Sequence, residues 1–465
     1  MAQANNNKRL VIDYDDSSTK PSLSIKELLN VITKQLAESF GNDCVRELND
    51  DEQKFSFASK RLSENLQICL LEQNNDQDAT MVVTAASALI HELWDLLKHG
   101  VGWTKPCFRE CYVIAQIRLA VCYLEKDDGR EALKCLDMAV IMGCPGELAR
   151  EFVRKAEEVI ESSTDKNNEK SERLLVSNTI PEQTSMPKIC NALEKIATDA
   201  TWKVFKREYF DMDKPVQLTS NFDMPCIEKW RDLRYFSERF GNRLVPLEIG
   251  KYDDVDNWRE EIITMEEFVN EHLAPDIIGG SKSSSDGVSY LAQHQLFEQI
   301  PQLAQDFEIP EWCNAGRFER CNVWLGTSGT VTPLHFDSYD NIFGQIVGYK
   351  FIRLYLESDS KYLYKSGGSW EENRSWTDAV NDNGNEDNKE SNASKNTRKK
   401  QTFRNAQGNI SRVDVENPNH EKFPEFKNAK PLDVILGPGD FIYIPSRTWH
   451  YVRSLTVSCS LNFLF

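Results

Sequence analysis

The feature that most limits how this chain can fold is a succession of short β-rich runs between residue 188 and the C-terminus. These runs are rich in Val, Ile, Tyr and Phe, and several are bounded by Gly or Pro, which end strands. They are VPLEI (245–249), CNVWLG (321–326), FGQIVG (343–348), KFIRLYL (350–356), DVILG (433–437), DFIYIP (440–445) and TVSCSLNFLF (456–465). Spaced short strands predict an antiparallel double-sheet barrel of the jelly-roll type, with helices near 226–240 and 264–272 preceding the main strands.

The first third of the chain has a helical pattern instead. Apolar residues recur at three- and four-residue spacing in the runs 22–40, 82–97, 109–125 and 129–143. A KDDG turn joins the last two runs, as in one helical hairpin of a tetratricopeptide-like array, but no repeat of about 34 residues is present. We therefore expect an irregular helical bundle over residues 22–161.

Composition suggests how the remaining segments are organised. We expect residues 1–21 to be a disordered N-terminus, and the polar segment 162–187 to be a linker. Residues 188–465 form the predicted β domain, interrupted at 366–412 by an Asn-rich segment that is poor in apolar residues. That composition predicts a disordered surface insertion between strands.

Charge and cysteine content restrict the partners of the chain. The net charge of −18 provides no basic field for nucleic acid, so we expect no direct nucleic-acid partner and favour basic protein segments. The sequence contains no run of roughly 18 apolar residues, so we expect no membrane span. The 12 cysteines include no C-x-x-C pair, and the N-terminus shows no secretory signal, which together indicate a reducing compartment.

The residues that carry chemistry include two of the seven histidines. The triplet His335-Phe336-Asp337 has no weight alone, because this acid content yields about one such match by chance. On an extended strand, however, His335 and Asp337 point to one side and Phe336 to the other. His450 follows a second strand, which in a double-sheet barrel can face the first across the interior. Two histidines and one carboxylate suit Fe(II) oxygenases; zinc hydrolysis is the alternative, although no H-E-x-x-H motif is present.

Three further polar residues fit a co-substrate at such a metal. A 2-oxo acid would chelate two open positions and leave one for dioxygen, and its distal carboxylate would need a buried cation. Lys350, amid large apolar residues on the next β run, is the candidate cation, with an ordinary surface lysine as the alternative. Thr332 and Asn341 can donate hydrogen bonds to carboxylate oxygens.

Five long runs resemble the JmjC-domain oxygenases. They are YLAQHQLFEQIPQL (290–303), WLGTSGTVTPLHFD (324–337), GYKFIRLYL (348–356), VDVENPNHEKFPEF (413–426) and LGPGDFIYIPSRTWHYVRSL (436–455). The resemblance covers about residues 200–465. It implies an α+β protein in which an N-terminal α-helical domain precedes a JmjC double-stranded β-helix (jelly-roll or cupin) barrel that uses Fe(II), 2-oxoglutarate and O2.

The resemblance also implies roles for individual residues. His335, Asp337 and His450 would be the iron ligands and the catalytic centre. The 2-oxoglutarate contacts would be Tyr290, Thr332, Asn341 and Lys350. Trp324 would line the site near the iron, and Leu464 stands where the family pattern leads us to expect a tryptophan, which puts one wall of the co-substrate pocket in question.

The substrate is the least determined part of the prediction. Arginine hydroxylation, methyl-lysine demethylation on histones and peptidase action near methylated residues are all implied by the resemblance. Glu248 matches a family position that contacts a guanidinium, and a carboxylate accepts two parallel N–H bonds from arginine. Trp258 and Trp324 could supply aromatic faces for either side chain. We favour arginyl C–H hydroxylation.

The expected partner is a protein that presents an arginine or methyl-lysine side chain, such as a histone tail or a regulator protein. The resemblance places the protein in the nucleus, with the cytoplasm as an additional location. A hypothesis of another class is a catalytically silent JmjC barrel that acts as a binding module. The intact triad and Lys350 count against that hypothesis.

Overall fold

The structure is a computed structural model that describes residues 62, 64–69, 76–98, 106–163, 172–182, 185–196, 200–218, 224–250, 258–278, 287–366 and 409–465. The chain divides into two compact units, Met1–Asp127 and Asp128–Phe465. The predicted disordered segment 1–21 and the predicted helix 22–40 lie outside the described residues, as does most of the insertion predicted at 366–412.

In the first unit, helix α1 (Asp76–Lys98) packs against helix α2 (Pro106–Leu124). Leu89, Leu93 and Leu97 recur every four residues along α1 and are buried, so the spacing seen in the sequence forms the packed face. By length and composition alone, one helix among the described residues, at Ala79–Leu97, could cross a membrane, although the core helix of a soluble protein passes the same test. The absence of a membrane span therefore stays a prediction.

The second unit begins with a helix pair, α3 (Gly129–Ile141) and α4 (Gly146–Ser163). Asp128 caps α3 by accepting a hydrogen bond from the Glu131 amide at 3.2 Å. Gly129 allows the two helices to approach closely, because a Cβ there would lie 2.5 Å from the Ala156 carbonyl oxygen. The helical domain predicted over 22–161 is thus divided, and its last two helices belong to the same compact unit as the barrel.

The segment predicted as a linker is held to the second unit where the structure describes it. Leu174 and Val176 are buried. The Val176 amide donates to the Arg231 carbonyl at 3.0 Å, and the Leu233 amide donates to the Leu174 carbonyl at 2.9 Å. The linker interpretation is therefore wrong for this part, because two apolar residues at alternate positions find a place in the core.

The barrel consists of two antiparallel sheets. Its strands are β1 (Val216–Leu218), β2 (Leu244–Ile249), β3 (Arg259–Thr264), β4 (Ser289–Leu291), β5 (Arg320–Gly326), β6 (Val331–His335), β7 (Asn341–Val347), β8 (Lys350–Tyr355), β9 (Leu432–Leu436), β10 (Phe441–Ile444), β11 (Trp449–Ser454) and β12 (Ser458–Leu464). The larger sheet has the order β1-β10-β7-β12-β5-β4-β2-β3, and the smaller has the order β6-β11-β8-β9.

Helical turns connect and cover the strands. They are α5 (Trp202–Phe205), α6 (Cys226–Trp230), α7 (Arg234–Phe240), α8 (Met265–Glu267), α9 (Ala274–Ile278), α10 (Leu296–Gln299) and α11 (Pro301–Ala304), the π-helical turns Lys206–Phe210 and Phe268–Leu273, and the 3-10 turns Glu311–Ala315, Glu357–Tyr362 and Pro424–Asn428. Aromatic residues of these turns, such as Trp230 and Phe268, pack with one face of the larger sheet. The opposite face is therefore left to form the barrel interior.

Alternation along the strands separates interior from exterior. In β8, Ile352 and Leu354 belong to the cluster between the sheets, whereas Phe351 and Tyr355 pack on the outer side of the smaller sheet. In β5, Val323 and Leu325 pack outward with the helices. Trp324, which lies between them, therefore faces the interior.

Both ends of the insertion predicted at 366–412 are ordered. The Ser366 amide donates to the Ile410 carbonyl at 2.7 Å, and the Ser411 amide donates to the Leu334 carbonyl at 2.8 Å. Ile410 faces His335 in an isolated antiparallel bridge. The prediction of disorder is therefore wrong at Ser366 and 409–412, because Ile410 and Ser411 pair with the edge strand β6 and Ser366 pairs in turn with Ile410.

Candidate metal centre and adjoining cavity

Three side chains that can bind a metal converge at one end of the smaller sheet. His335 ends β6, Asp337 follows two residues later, and His450 lies on β11. Their ligand atoms all lie within 4.8 Å of one another. The Asp337 carboxylate is 4.0 Å from His335 Nε2 and 3.7 Å from His450 Nε2. The structure thus brings together the three residues that the sequence predicted as ligands.

The relation between the two histidine strands differs from the prediction. His335 and His450 do not face each other across the interior, because β6 and β11 are hydrogen-bonded neighbours and the two residues are direct partners in the ladder. Their ring centroids are 4.1 Å apart. The register shifts between His450 and Val452, so a bulge lies beside Pro333. Cross-strand pairing, rather than sheet-to-sheet apposition, makes these imidazoles neighbours.

The backbone sets the orientation of both imidazoles. His335 Nδ1 donates to the Pro333 carbonyl at 2.8 Å, and His450 Nδ1 donates to the Thr448 carbonyl at 3.0 Å. Since a carbonyl only accepts, both Nδ1 atoms carry a proton, and the Nε2 atom of each ring in its neutral form is the one that can bind a metal. Burial, followed by the nearby His450, lowers the pKa of His335 below its usual value, which favours the neutral form that binds metals.

Phe336 lies on the opposite side of the strand, as alternation predicted. Its ring contacts Trp449 edge-on at 4.9 Å in the outer cluster of the smaller sheet. The Asp337 carbonyl accepts a hydrogen bond at 2.8 Å from the amide of Arg447, whose φ of +64° lies in the left-handed region. The outward-facing ring of Phe336 therefore helps to hold in place its two neighbours, His335 and Asp337, whose side chains point to the candidate metal site.

A cavity of about 550 Å³ opens above the three candidate ligands. The residues predicted from the sequence that line it, in addition to those ligands, are Glu248, Tyr290, Trp324, Thr332, Asn341 and Leu464. Glu248 alternates with Val245, Leu247 and Ile249, which are buried with the helices, so it faces inward. Trp258 is not among the lining residues. It immediately precedes β3, the edge strand that pairs with β2, and its role in the substrate site stays a prediction.

Lys350 lies behind the cavity and not on its surface. Its side chain is fully buried, and Nζ donates to the Tyr290 hydroxyl at 3.1 Å. Burial lowers the pKa of Lys350 to about 7. A carboxylate placed beside this amine would restore its charge.

The residues present fit iron and 2-oxoglutarate. Two imidazoles and a carboxylate on one side leave positions open, which is the donor set of non-haem Fe(II) sites. The Asn341 side chain lines the cavity and its Oδ1 has no hydrogen-bond partner, so the amide can turn its Nδ2 to donate to a ligand carboxylate. An amide of this kind and a buried lysine amine are suited to a polar, dicarboxylate ligand.

Sequence reasoning missed several polar lining residues. Asn322 and Arg320 precede Trp324 by two and four positions on β5, and Asn462 precedes Leu464 by two on β12. Trp324 Nε1 donates to Asn462 Oδ1 at 3.2 Å. The alternation rule, applied outward from Trp324 and Leu464, would have identified them.

Comparison with known proteins agrees with this fold and site. A family model for cupin-like domains matches residues 202–465, and a model described as KDM8-like, N-terminal ARM repeats matches residues 67–173. JmjC domain-containing protein F of Dictyostelium discoideum is 30% identical over 80% of this chain and 84% of its own length. Lysine-specific demethylase JMJ30 of Arabidopsis thaliana is 31% identical over 82% and 85%, respectively.

The chain therefore belongs to the JmjC-domain family of cupin-like 2-oxoglutarate oxygenases. Lysine-specific demethylase 8 of Xenopus tropicalis is a further relative, 34% identical over 64% of this chain and 56% of its own length. The helical region resembles ARM repeats, so the prediction of an irregular bundle is wrong. Such repeats span about 40–47 residues and escape a comparison made at about 34.

Proposed function

We propose that this protein is an Fe(II)- and 2-oxoglutarate-dependent oxygenase that oxidises a C–H bond of a basic side chain in a protein substrate. The convergence of His335, Asp337 and His450 beside one cavity carries the proposal. When bound, iron and 2-oxoglutarate together supply oxidation of unactivated C–H bonds by dioxygen. The protein's own contribution is to hold the reactants and to select the side chain.

The chain's residues would divide this work between ligand binding and positioning. The two Nε2 atoms and the Asp337 carboxylate would hold the iron, and the backbone carbonyls bonded to Nδ1 keep both rings in place. Lys350 would hold the distal carboxylate of 2-oxoglutarate, assisted by the hydroxyl of Tyr290. Thr332 and Asn341 would complete the co-substrate contacts from the cavity wall.

Two reactions on a basic side chain are candidates. Relatives named as lysine-specific demethylases support methyl-lysine demethylation, and the comparisons favour this reaction over arginine hydroxylation. The position of Glu248 on the cavity wall supports arginine hydroxylation, because its carboxylate can accept two N–H bonds from a guanidinium. The partner would be a protein with an exposed basic segment, such as a histone tail, and the nucleus remains the predicted location.

The deciding experiment is incubation with Fe(II), 2-oxoglutarate and matched peptides that contain arginine or mono-, di- or trimethyl-lysine. Mass spectrometry would report loss of a methyl group for demethylation, a gain of one oxygen on arginine for hydroxylation, and a broken peptide bond for peptidase action. Succinate production would be measured in parallel. Absence of succinate with and without every peptide would contradict the oxygenase proposal and favour a silent binding module.

Substituting Glu248 by glutamine separates the two target side chains. The change keeps the size and removes the charge that a guanidinium would pair with, so we expect arginine-peptide oxidation to fall roughly tenfold or more. Trimethyl-lysine has no N–H to lose, and its turnover should fall less. The control is Glu260→Gln, at the exposed cross-strand neighbour of Glu248 on β3. Equal arginine-peptide rates for both variants would remove Glu248 from the substrate site.

A further inference from the structure

The two peptide units that join the candidate ligands His335 and Asp337 are held by a residue outside the ligand set. The Phe336 amide donates to the Asn409 carbonyl at 3.1 Å. In return, Asn409 Nδ2 donates to the Phe336 carbonyl at 2.9 Å. Asn409 thus engages both backbone polar groups of the single residue that separates His335 from Asp337.

This pairing covers the open side of β6. The strand is at the edge of the smaller sheet, so β11 supports it on one side only. On the other side, Ser411 pairs with Leu334 and Asn409 pairs with Phe336, and His335 lies between these two contacts. At the end of the triplet, the Arg447 amide donates to the Asp337 carbonyl at 2.8 Å.

We propose that Asn409 is a positioning residue for the metal centre, an inference that rests on the proposed metal assignment. His335 and Asp337 are two residues apart, so rotation of the Phe336–Asp337 peptide would change the direction of the Asp337 side chain relative to His335. The ring of Phe336 is anchored against Trp449, but a ring contact does not fix the rotation of the adjoining peptide. The side-chain amide of Asn409 does, because it bonds directly to the peptide oxygen.

The test is Co(II) binding to the full chain, followed by the visible absorption of the bound ion. Asn409→Ala removes the amide, and Asn409→Leu removes it with little loss of volume. Losing a partner that orients metal ligands lowers metal affinity by roughly 10- to 100-fold, so we expect at least a tenfold loss and a changed absorption spectrum in both variants. The metal-free melting temperature should change little, since the Phe336 amide still donates to the carbonyl of residue 409.

The matched control is Asn428→Ala. Asn428 donates through Nδ2 to Glu425 Oε2 at 2.8 Å, an exposed hydrogen bond outside the cavity, and its loss should leave Co(II) affinity unchanged. Unchanged Co(II) affinity and absorption in both Asn409 variants would overturn the proposal. So would an affinity loss matched by an equal loss of stability in the metal-free chain, which indicates a merely structural residue.

The variant His335→Ala distinguishes failure of this inference from failure of the metal assignment. If Co(II) binds His335→Ala as it binds the unaltered chain, the metal assignment itself fails. If His335→Ala abolishes binding while the Asn409 variants bind normally, only the positioning of the ligands by Asn409 is refuted.

Discussion

Lys350 illustrates how a single buried residue connects stability to ligand binding. A lysine amine in the barrel interior loses its hydration, and the structure gives it the Tyr290 hydroxyl at 3.1 Å as a neighbour. Burial therefore lowers its pKa to about 7. A buried lysine at this position favours the binding of a carboxylate but lowers the stability of the protein without ligand. This arrangement is expected of a binding residue.

The pH dependence of stability should reveal this lysine. Between pH 7 and the ordinary lysine value of 10.5, the unfolded chain binds more protons than the folded chain, so stability rises with pH through this window. The slope contributed by one group is at most about 1.4 kcal/mol per pH unit. We expect the free energy of unfolding of the unaltered chain to gain on that of Lys350→Met as pH rises from 7 to 9.

Urea unfolding of both metal-free chains at several pH values measures this difference. The exposed Lys427→Met variant serves as the control and should run parallel to the unaltered chain. Parallel profiles for Lys350→Met would show that Lys350 stays charged in the folded protein. Added 2-oxoglutarate with a redox-inert metal should reduce the difference in pH dependence between the unaltered chain and Lys350→Met, because a bound carboxylate restores the charge of the amine.

Much of the chemistry at the residue scale was predictable. The three candidate ligands, Tyr290, Thr332, Asn341 and Glu248 all reach the cavity or its base. Asn409 was not predicted, because it lies in the segment 366–412, whose composition predicted disorder. Its contact with Phe336 forms only when the end of that segment packs beside β6. Trp258 was assigned to the site from its residue type, and it is not among the residues that line the cavity.

Among the elements, β2 and α3 are joined by a buried ion pair. Arg243, just before β2, donates from Nη2 to Asp137 Oδ1 of α3 at 2.7 Å, and the side chains are 2% and 0% exposed. Asp137 also accepts from the Leu244 amide at 2.8 Å. Because β2 carries Glu248 at its other end, this pair connects the helix pair to the cavity wall.

Removing one partner of this pair should be strongly destabilising. Arg243→Met leaves the Asp137 carboxylate buried without its cation, and we expect the free energy of unfolding of the second unit to fall by about 3–5 kcal/mol. The double variant Arg243→Met/Asp137→Leu should recover part of this loss, since no charge remains buried. The recovery is incomplete because the Leu244 amide loses its acceptor.

Chemical denaturation of the single and double variants measures these effects. The control is Lys206→Met, which breaks the exposed Lys206–Asp211 pair and should cost less than about 1 kcal/mol. A loss for Arg243→Met as small as that of the control would contradict the importance of the buried pair.

Most strands were predictable because their apolar runs are local features. The predicted run VPLEI became β2, and FGQIVG and KFIRLYL became β7 and β8 with end shifts of one or two residues. The strands β1, β3, β4 and β11 were missed; β1 and β4 have three residues each, which are too few to show alternation. Helix α4 received no specific prediction; it buries Phe152 and Ala156 on one side and carries charged residues elsewhere.

At the scale of the whole molecule, the boundary between compact units lies after Asp127 and not in the predicted linker. The helix pair α3–α4 contributes Asp137 and Glu157 to the environment of Arg243. Residues 172–182 add Leu174 and Val176 to the core of the same unit. A barrel cut at the position that composition suggested would lose all of these contacts.

Truncation tests this boundary. A chain of residues 128–465 should unfold cooperatively and bind Co(II), because its core and its ion pair are complete. A chain of residues 188–465 should have a markedly lower melting temperature or fail to fold, because Arg243 is buried without a carboxylate. Thermal unfolding by circular dichroism compares the two, and equal melting temperatures would show that the helix pair is dispensable for the barrel.

The sequence by itself determined the strand-rich barrel, the helical N-terminal region, the family, and the residue types able to bind a metal and a dicarboxylate. These properties follow from period, composition and motif, which are local along the chain. Only the tertiary structure decided that His335 and His450 are neighbours in one sheet and that α3 belongs to the same compact unit as the barrel. It also decided that the Asn409 side chain donates to the carbonyl of Phe336, the residue between two candidate ligands. Such contacts join residues that are far apart in sequence. Strand register and side-chain packing create them, and neither can be deduced from local periodicity.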